Sequence, residues 1–406
     1  MTRPTKIAII GCGYVASSYC DALQHHPELS LVALVDRVTE RCEAFAARWP
    51  TPTYSSVAEM IARSEAEIAL NLTNPRDHVE ITKTCLEAGL HVYSEKPLAM
   101  ESSEAKALVD FAAARGLMLM TAPCSLLSET ATTVADAISS GVIGQVRLVL
   151  ANFDDGLIAP GQSPWTWHNS VGIPWPAKDE FEVGCTYEHA GYVLTWLARI
   201  LGPARQVTAF AATLIEEKGI QVEDMAPDFT TGCIEYDGGV VARISCSLVA
   251  PRDKSITFIG DDGILKVGNV RHERCPIRYR LYRSTRWRST LENKVGEALA
   301  KLGKPELPEG WASWKTWPYS ETPPSWMKSG RKLVDFMRGP AEMAAALREN
   351  RPCKVPAEVG WHVTELIEAL QYPPCGGGRT VLSSGFAFSP ALNRTIRSLE
   401  AADHGQ

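Results

Sequence analysis

The stretch Lys6–Ala16, KIAIIGCGYVA, decides the fold of the first part of the chain. Its apolar run Ile7–Ile10 has the length of a buried strand and is followed at once by Gly11, Gly13 and Ala16 in the spacing G-x-G-x-x-A. Gly11 permits a tight turn, Gly13 lets other groups approach the backbone, and Ala16 lets a helix pack closely against the strand. The stretch therefore predicts a strand, a glycine turn and a helix whose N-terminal N–H groups face a pyrophosphate.

Short apolar runs alternate with longer helical patterns from Lys6 to about Ala122, which predicts parallel strands joined by crossover helices. The strands are predicted at Ile7–Ile10, Leu31–Val35, Ile68–Leu72, His91–Ser94 and Leu117–Met120. The helices are predicted at Tyr14–His25, Thr39–Arg48, His78–Ala88 and Ser102–Arg115. The pattern indicates an α/β Rossmann domain with a doubly wound parallel sheet, which we place at residues 1–124.

Beyond about Ser125 one more predicted helix, Thr130–Ser140, is followed mainly by strands. These strands are predicted at Val146–Phe153, Val207–Thr213, Phe229–Tyr236, Val240–Leu248 and Ser255–Ile259. The glycine turns Asp237–Gly239 and Asp261–Gly263 lie between neighbouring strands and predict hairpins. The pattern indicates a mostly antiparallel α+β domain, which we place at residues 125–390, followed by a C-terminal tail at residues 391–406.

Composition excludes several classes of protein. The chain of 406 residues has a formal net charge of −6, which argues against a nucleic-acid partner, and its one basic stretch, Arg271–Arg288, is predicted to be a solvated hairpin. No apolar run reaches the roughly 18 residues of a membrane span, and no export signal is expected. The eleven cysteines are scattered singly, without C-x-x-C spacing, so we expect no disulfides, no metal site and a cytoplasmic location.

The end of the second predicted strand bears on the choice of dinucleotide. Asp36 lies a little over twenty residues after Gly13, where a carboxylate accepts hydrogen bonds from ribose hydroxyls and repels a 2′-phosphate. This favours NAD(H). Arg37 and Arg41 follow, however, and a guanidinium there can pair with a 2′-phosphate, so NADP(H) stays open.

At Ser94–Pro97, after the run Gly89–Tyr93, the sequence resembles the glucose-fructose oxidoreductase, inositol dehydrogenase and rhizopine-catabolism (Gfo/Idh/MocA) family. The resemblance rests on this E-K-P box, and it extends to the glycine loop and to the segments Thr73–His78, Ala226–Phe229 and His362–Glu365. It implies a large open sheet in the second domain, homodimers or homotetramers built through that sheet, and sugar-like substrates. The cofactor contacts that it implies are Gly11, Gly13, Tyr14, Val15, Asp36, Arg37, Thr73, Asn74, His78, Glu95 and Lys96.

The same resemblance implies that Lys96 points into the cleft and stabilises charge on the reacting oxygen. The family carries a D-x-G-x-H-x-x-D pattern before a W-L-x-G-like ending, and Leu201–Pro203 fixes its register here. The four pattern positions are then occupied by Glu188, Ala190, Tyr192 and Thr195. The chain thus departs from the family by carrying tyrosine where the family carries its catalytic histidine.

Two residues remain candidates for the proton transfer. Tyr192 lies four residues after Glu188, hence on the same helical face, and we hypothesise that the Lys96 ammonium brings its pKa closer to neutrality. On this reading Thr195 and Arg199 continue the same polar stripe. The rival is His189, rotated by about 100° from Glu188 around a regular helix. An irregular turn would bring His189 into the cleft.

Substrate contacts are expected from Asp154 and Asp155, at a strand end, and from Trp167 in an aromatic segment that also holds Trp165 and Trp175. These tryptophans either cover a carbohydrate or pin a long loop. The resulting functional hypothesis is an NAD(P)-dependent oxidoreductase that interconverts a secondary hydroxyl and a ketone on a sugar, nucleotide sugar, glycoside or cyclitol. Two alternatives stay open: an NAD-retaining glycoside-cleaving enzyme that oxidises its substrate transiently, and a non-catalytic dinucleotide-binding regulator.

Overall fold

The computed structural model describes residues 3–158, 162–282, 286–304, 313–320, 322 and 334–388. The first part contains β1 (Thr5–Ile10), β2 (Leu29–Val35), β3 (Thr53–Tyr54), β4 (Ile68–Asn71), β5 (His91–Ser94) and β6 (Leu119–Thr121). Between them lie α1 (Ala16–Leu23), α2 (Thr39–Arg48), α3 (Val57–Arg63), α4 (His78–Glu87) and α5 (Ser102–Ala114). The strands form a parallel sheet in the order β3-β2-β1-β4-β5-β6, which confirms the predicted doubly wound Rossmann architecture.

Alternate residues of β1 explain why helices cover both faces of this sheet. Ile7 and Ile9 pack into one apolar cluster, whereas Ala8 and Ile10 pack into a second cluster on the opposite face. Because both faces of the strand are buried, its sequence is continuously apolar. The strand order reverses at β1 and β4, so the carboxyl ends of these strands open a crevice at the edge of the sheet.

The second part is built on a larger sheet. Its strands are β7 (Val146–Asp154), β8 (Ala204–Ala212), β9 (Phe229–Tyr236), β10 (Val241–Ser247), β11 (Ile256–Gly260), β12 (Gly263–Val267), β13 (Ile277–Leu281), β14 (Lys315–Thr316) and β15 (Thr380–Val381). Within the described ranges the order is β14-β13-β12-β11-β7-β10-β9-β8-β15; β7 and β10 pair in parallel, and the other neighbours are antiparallel. The predicted mostly antiparallel sheet and both hairpin turns are confirmed.

The helices of this part are α6 (Glu129–Ser139), α7 (Ala177–Val183), α8 (Gly191–Leu201), α9 (Arg286–Lys301), α10 (Arg338–Arg348) and α11 (Ala357–Gln371). A π-helical turn, Thr186–Ala190, leads directly into α8. Helix α11 packs against α5 and β6 of the first part and against β8 of the second part, so it contacts both parts of the chain. The predicted C-terminal tail, residues 391–406, lies outside the described residues.

The basic stretch Arg271–Arg288 is not the predicted solvated hairpin. It contains β13 and the start of α9, and Arg271 is partly buried. Across the described part of the chain, no helix is long and apolar enough to cross a membrane. A search of those same residues finds no group of His, Cys, Asp and Glu side chains that could hold a metal ion.

Candidate active site

The glycine turn after β1 fits the close approach of a dinucleotide. Gly11 has φ +94°, and a Cβ there would lie 2.7 Å from the carbonyl carbon and oxygen of Leu72 and 2.8 Å from the Thr73 nitrogen. A side chain at Gly11 would therefore collide with the end of β4. At Gly13, by contrast, a Cβ would meet nothing within 4 Å, so the space in front of this backbone is open. Gly11 is needed by the fold itself, and Gly13 leaves room for a ligand.

A cavity of about 400 Å³ lies beside this turn, at the carboxyl ends of β1, β2 and β4. Its wall includes Asp36, whose Oδ2 accepts a hydrogen bond from the Cys12 backbone nitrogen and whose Oδ1 accepts one from Val38, both at 2.8 Å. The carboxylate is thus fixed at the position predicted for ribose recognition. Arg37 and Arg41 line the same cavity; the side chain of Arg37 is 80% exposed and lies 3.6 Å from Asp77.

A second cavity of about 610 Å³ adjoins the first, and the two share Gly13, Arg41, Leu72, Thr73 and Asn74 in their walls. Tyr14, Val15, Glu95 and Lys96 also line it. The first cavity therefore offers a place for the adenosine half of a dinucleotide and the second a place for its nicotinamide half and a substrate. The two volumes are of the size that cofactor and ligand sites have.

Lys96 follows β5, and its peptide bond to Pro97 is cis. Its backbone nitrogen donates to Glu95 Oε2 at 2.9 Å, and its ammonium forms an ion pair with Glu188 across the large cavity. Burial favours the neutral amine, but the charge of Glu188 and of further acidic groups raises the pKa of Lys96, so the side chain is an ammonium. Burial raises the pKa of Glu188 above its ordinary value, and Lys96 offsets only part of this effect.

Tyr192 lies on the first turns of α8 and lines the same cavity. Its ring stacks on Phe153 with a centroid separation of 4.9 Å, and the guanidinium carbon of Arg271 lies 4.9 Å from the ring centroid. Burial raises the pKa of Tyr192, although Arg271 and Lys96 act in the opposite direction. Lys96 therefore acts in the expected direction, but the loss of solvation outweighs its charge, so the pKa of Tyr192 lies above its ordinary value.

The π-helical turn brings His189 into the cavity together with Glu188 and Tyr192. Its Nε2 lies 3.0 Å from Glu180 Oε1 and 3.4 Å from Asp155 Oδ2. A regular helix would separate His189 from Glu188 by about 100°, but the wider turn places both on the cavity wall. The irregular turn that the rival hypothesis required is present, so both candidate proton carriers line the same cavity.

Several predicted site residues lie elsewhere. The carboxylate of Asp154 is turned away from the cavity and accepts hydrogen bonds from Ser245 and Ser247 on β10, whereas its neighbour Asp155 lines the cavity. His78 is fully buried: its Nδ1 lies 2.6 Å from the Pro97 carbonyl oxygen and its Nε2 lies 3.0 Å from that of Thr73. His78 therefore joins the two loops that carry Thr73 and Lys96, and it does not line either cavity.

The polar stripe predicted beyond Tyr192 does not face the large cavity. Thr195 is buried and donates to the Gly191 carbonyl within its own helix at 2.9 Å. The guanidinium of Arg199 donates to the carbonyl of Leu126 and to Thr132. Both side chains are therefore engaged in hydrogen bonds within α8 or to neighbouring segments, outside the large cavity.

The aromatic segment contributes to the cavity in part. Trp167 and Trp175 line it, with their ring centroids 5.4 Å apart, whereas Trp165 packs on Gly219. Five charged residues of the wall were not proposed as site residues from the sequence: Asp179, Glu180, Arg252, Lys254 and Arg271. Only their position relative to the E-K-P box identifies them, since they come from three separate segments: α7, the connection between β10 and β11, and the connection between β12 and β13.

Comparison with known proteins agrees with this geometry. Residues 5–122 match the family model described as "Oxidoreductase family, NAD-binding Rossmann fold", and residues 131–266 match the "GFO/IDH/MocA C-terminal domain". The trans-1,2-dihydrobenzene-1,2-diol dehydrogenase of Bos taurus is 24% identical over 262 residues, which are 64% of this chain and 72% of that protein. The enzyme of Mus musculus is 25% identical over 64% of this chain and 73% of its own length.

Two groups of solved structures share the fold. The WlbA dehydrogenase of Bordetella pertussis, in complex with NADH and UDP-GlcNAcA, has a TM-score of 0.68 at 19% identity and covers 94% of this chain and 99% of its own. The 3-ketoreductase KijD10 of Actinomadura kijaniata, in complex with NADP, has a TM-score of 0.66 at 18% identity and covers 91% and 97%. The two family models together match more than half of the chain, and residues of the glycine turn and of the E-K-P box line the two cavities. The protein therefore belongs to the Gfo/Idh/MocA family of NAD(P)-dependent oxidoreductases.

Proposed function

We propose that the protein interconverts a secondary hydroxyl and a ketone on a sugar, nucleotide sugar, glycoside or cyclitol, with NAD(H) as the preferred dinucleotide. The proposal rests on one observation: Lys96, Glu188 and Tyr192 meet in a cavity that shares its wall with the glycine turn. The sugar- and ketone-directed activities named for WlbA and KijD10 agree with this class of substrate.

The chain's own residues fit the cofactor. Asp36 would hold the adenosine ribose, and the open backbone at Gly13 would face the pyrophosphate. The wall shared by the two cavities, with Thr73 and Asn74, would hold the nicotinamide side. When bound, the nicotinamide ring supplies or accepts the hydride.

The roles of the polar residues follow from charge and position. Lys96 is an ammonium and donates a hydrogen bond to the reacting oxygen, which stabilises negative charge there. Glu188 contacts Lys96, and its raised pKa suits an acceptor of the hydroxyl proton near neutral pH. Tyr192 stays protonated because its pKa is raised, so we assign it a hydrogen bond to the same oxygen. His189 is the alternative proton acceptor in the same cavity.

Fluorescence titration with NADH and NADPH tests the foundation of this proposal. We expect wild type to bind NADH more tightly than NADPH, and Asp36→Ala to weaken NADH binding, because the ribose loses its acceptor. Asp110→Ala on the exposed face of α5 is the matched control and should bind as wild type does. A turnover screen at 340 nm over sugars, glycosides and cyclitols follows. A folded protein that binds neither dinucleotide would overturn the proposal.

A second candidate, glycoside cleavage through transient oxidation, is favoured by the His189 cluster. Oxidation of one ring carbon acidifies the neighbouring C–H bond, a base removes that proton as the glycosidic bond breaks, water adds, and the ketone is reduced again. His189, in contact with Glu180 and Asp155, is a second acid–base group for the middle steps. This reaction gives no net NADH and incorporates solvent deuterium at carbon, whereas a dehydrogenase accumulates NADH in proportion to its product.

A further inference from the structure

Three basic side chains line one wall of the 610 Å³ cavity: Arg252, Lys254 and Arg271. We call them the cationic wall. Arg252 and Lys254 lie on the connection between β10 and β11, and Arg271 lies on the connection between β12 and β13. A bridge between Lys254 and Asn269, with a hydrogen bond of 2.9 Å from the Val270 nitrogen to the Lys254 carbonyl, holds the two connections side by side. The tertiary structure therefore gathers these charges at one place.

Among the described parts of the chain, the guanidinium of Arg271 has no hydrogen-bond acceptor. It lies over the Tyr192 ring, and within the described ranges its Nε is buried without a hydrogen-bond partner. A buried guanidinium nitrogen that loses water without gaining an acceptor is costly, so such a group normally has a hydrogen-bond acceptor, and an anionic oxygen is the strongest one. This is the strongest indication that a ligand completes the wall.

The neighbouring charges do not neutralise the wall. Asp155 forms an ion pair with Lys254, but the same carboxylate lies 3.4 Å from His189. Arg252 is exposed, and no ion pair to it is found among the residues that the structure describes. Burial and the positive charges of Arg271 and Arg252 lower the pKa of Lys254, although Asp155 opposes this. An added anion would relieve this repulsion.

We propose that the cationic wall binds a carboxylate or phosphate of the substrate, so that the enzyme acts on acidic sugars, such as sugar acids or sugar phosphates, in preference to neutral ones. A planar guanidinium can bind two oxygens of either group at once. Because Arg271 packs on Tyr192, the anionic group is held on the substrate close to the reacting hydroxyl. This inference rests on the proposed function, since both concern one substrate in one cavity.

The test uses protein saturated with NADH, so that the phosphate-binding part of the cofactor site is filled. Calorimetric titration compares D-glucuronate with D-glucose, D-galacturonate with D-galactose, and D-glucose 6-phosphate with D-glucose; inorganic phosphate is the simplest probe. We expect the acidic member of at least one pair to bind about tenfold more tightly or better, as charge-assisted hydrogen bonds allow. The uronates and the phosphate distinguish a carboxylate site from a phosphate site. Equal affinity within every pair, with no binding of phosphate, would overturn the proposal.

Arg271→Gln and Arg252→Gln locate the effect on the protein. Each should remove most of the preference for the acidic ligand and leave NADH affinity unchanged, and the exposed Arg252 carries little risk for folding. Arg147→Gln is the control, because Arg147 is an exposed arginine paired with Asp261 outside the cavity. The proposal is wrong if both variants keep the preference or if Arg147→Gln loses it equally. Failure of the proposed function would appear separately, as loss of NADH binding or of turnover with every substrate.

Discussion

Replacing Gly11 by alanine should destabilise the protein far more than the same replacement at Gly89. Both glycines have positive φ, +94° and +84°, so alanine at either position loses about 1–2 kcal/mol to backbone strain. At Gly89 the new Cβ meets nothing within 4 Å. At Gly11 it meets the Leu72 and Thr73 backbone at 2.7–2.8 Å. Backbone at the end of a buried strand moves only at a further cost of about 1–3 kcal/mol.

Urea unfolding of wild type, Gly11→Ala and Gly89→Ala measures this difference directly. We expect a total loss of about 2–5 kcal/mol for Gly11→Ala and about 1–2 kcal/mol for Gly89→Ala, with similar m-values. NADH titration of the surviving folded protein should show weakened binding only for Gly11→Ala, because only that Cβ displaces the Thr73 loop. If the two variants unfold at the same urea concentration, the close packing of Gly11 on β4 is not a constraint and the reasoning fails.

Three further predictions address the cofactor site, the Lys96 ammonium and the pH dependence of stability. Gly13→Ala should leave the unfolding free energy within about 1 kcal/mol of wild type but weaken NADH binding at least tenfold in a fluorescence titration, because its Cβ occupies only ligand space; unchanged binding would contradict this. Lys96→Met should lower kcat about 100-fold or more with little change in NADH affinity, since a donor to the reacting oxygen is lost; a kcat near that of wild type would remove Lys96 from the chemistry. Burial lowers the pKa of His26, but the hydrogen bond to Asp335 and the charge of Asp335 raise it above its ordinary value. Burial raises the pKa of Asp335, but the hydrogen bond to His26 and the charge of His26 lower it below its ordinary value. The ion pair therefore stabilises the fold between the ordinary values of 3.8 and 6.5, and its contribution is lost as pH rises through the raised pKa of His26. His26→Gln should accordingly lose most stability in urea unfolding within that window and progressively less as the pH rises through the raised pKa of His26, and a difference that stays constant with pH would refute the assignment.

Local patterns sufficed to predict most of the fold. The glycine spacing after β1 and the alternation of strands and helices depend on residues close in sequence, so their positions follow from periodicity and turn chemistry alone. The E-K-P box likewise predicted that Lys96 points into the cleft, and the structure has it on the wall of the large cavity, because it comes directly after a strand whose carboxyl end faces the crevice. The register count placed Glu188 and Tyr192 on one wall, and the structure brings both there.

The errors arose where the side-chain direction depends on tertiary structure. Asp154 and Asp155 lie on opposite faces at the end of β7, and sequence does not show which face meets the cavity. His78 lies between two loop carbonyls in the core and donates to one of them, a role that composition does not indicate. The sequence suggested that Arg271 is solvated because its neighbours are basic. The bridge between Lys254 and Asn269 instead holds its loop beside the β10–β11 connection, where the guanidinium lies over the Tyr192 ring. Long-range pairing of this kind leaves no local signal.

The reacting centre is assembled from both parts of the chain. Lys96 comes from the end of β5, and its partner Glu188 comes from the π-helical turn. A lysine ammonium has three donors, and the contact with Glu188 uses one of them. Lys96 can therefore hold the carboxylate and the reacting oxygen at the same time, so a proton leaving that oxygen has an acceptor next to the charge that stabilises it. Under the proposed roles, the hydroxyl proton would pass to Glu188 beside the Lys96 ammonium while Tyr192 positions the oxygen, so this chemistry would not require histidine at position 192.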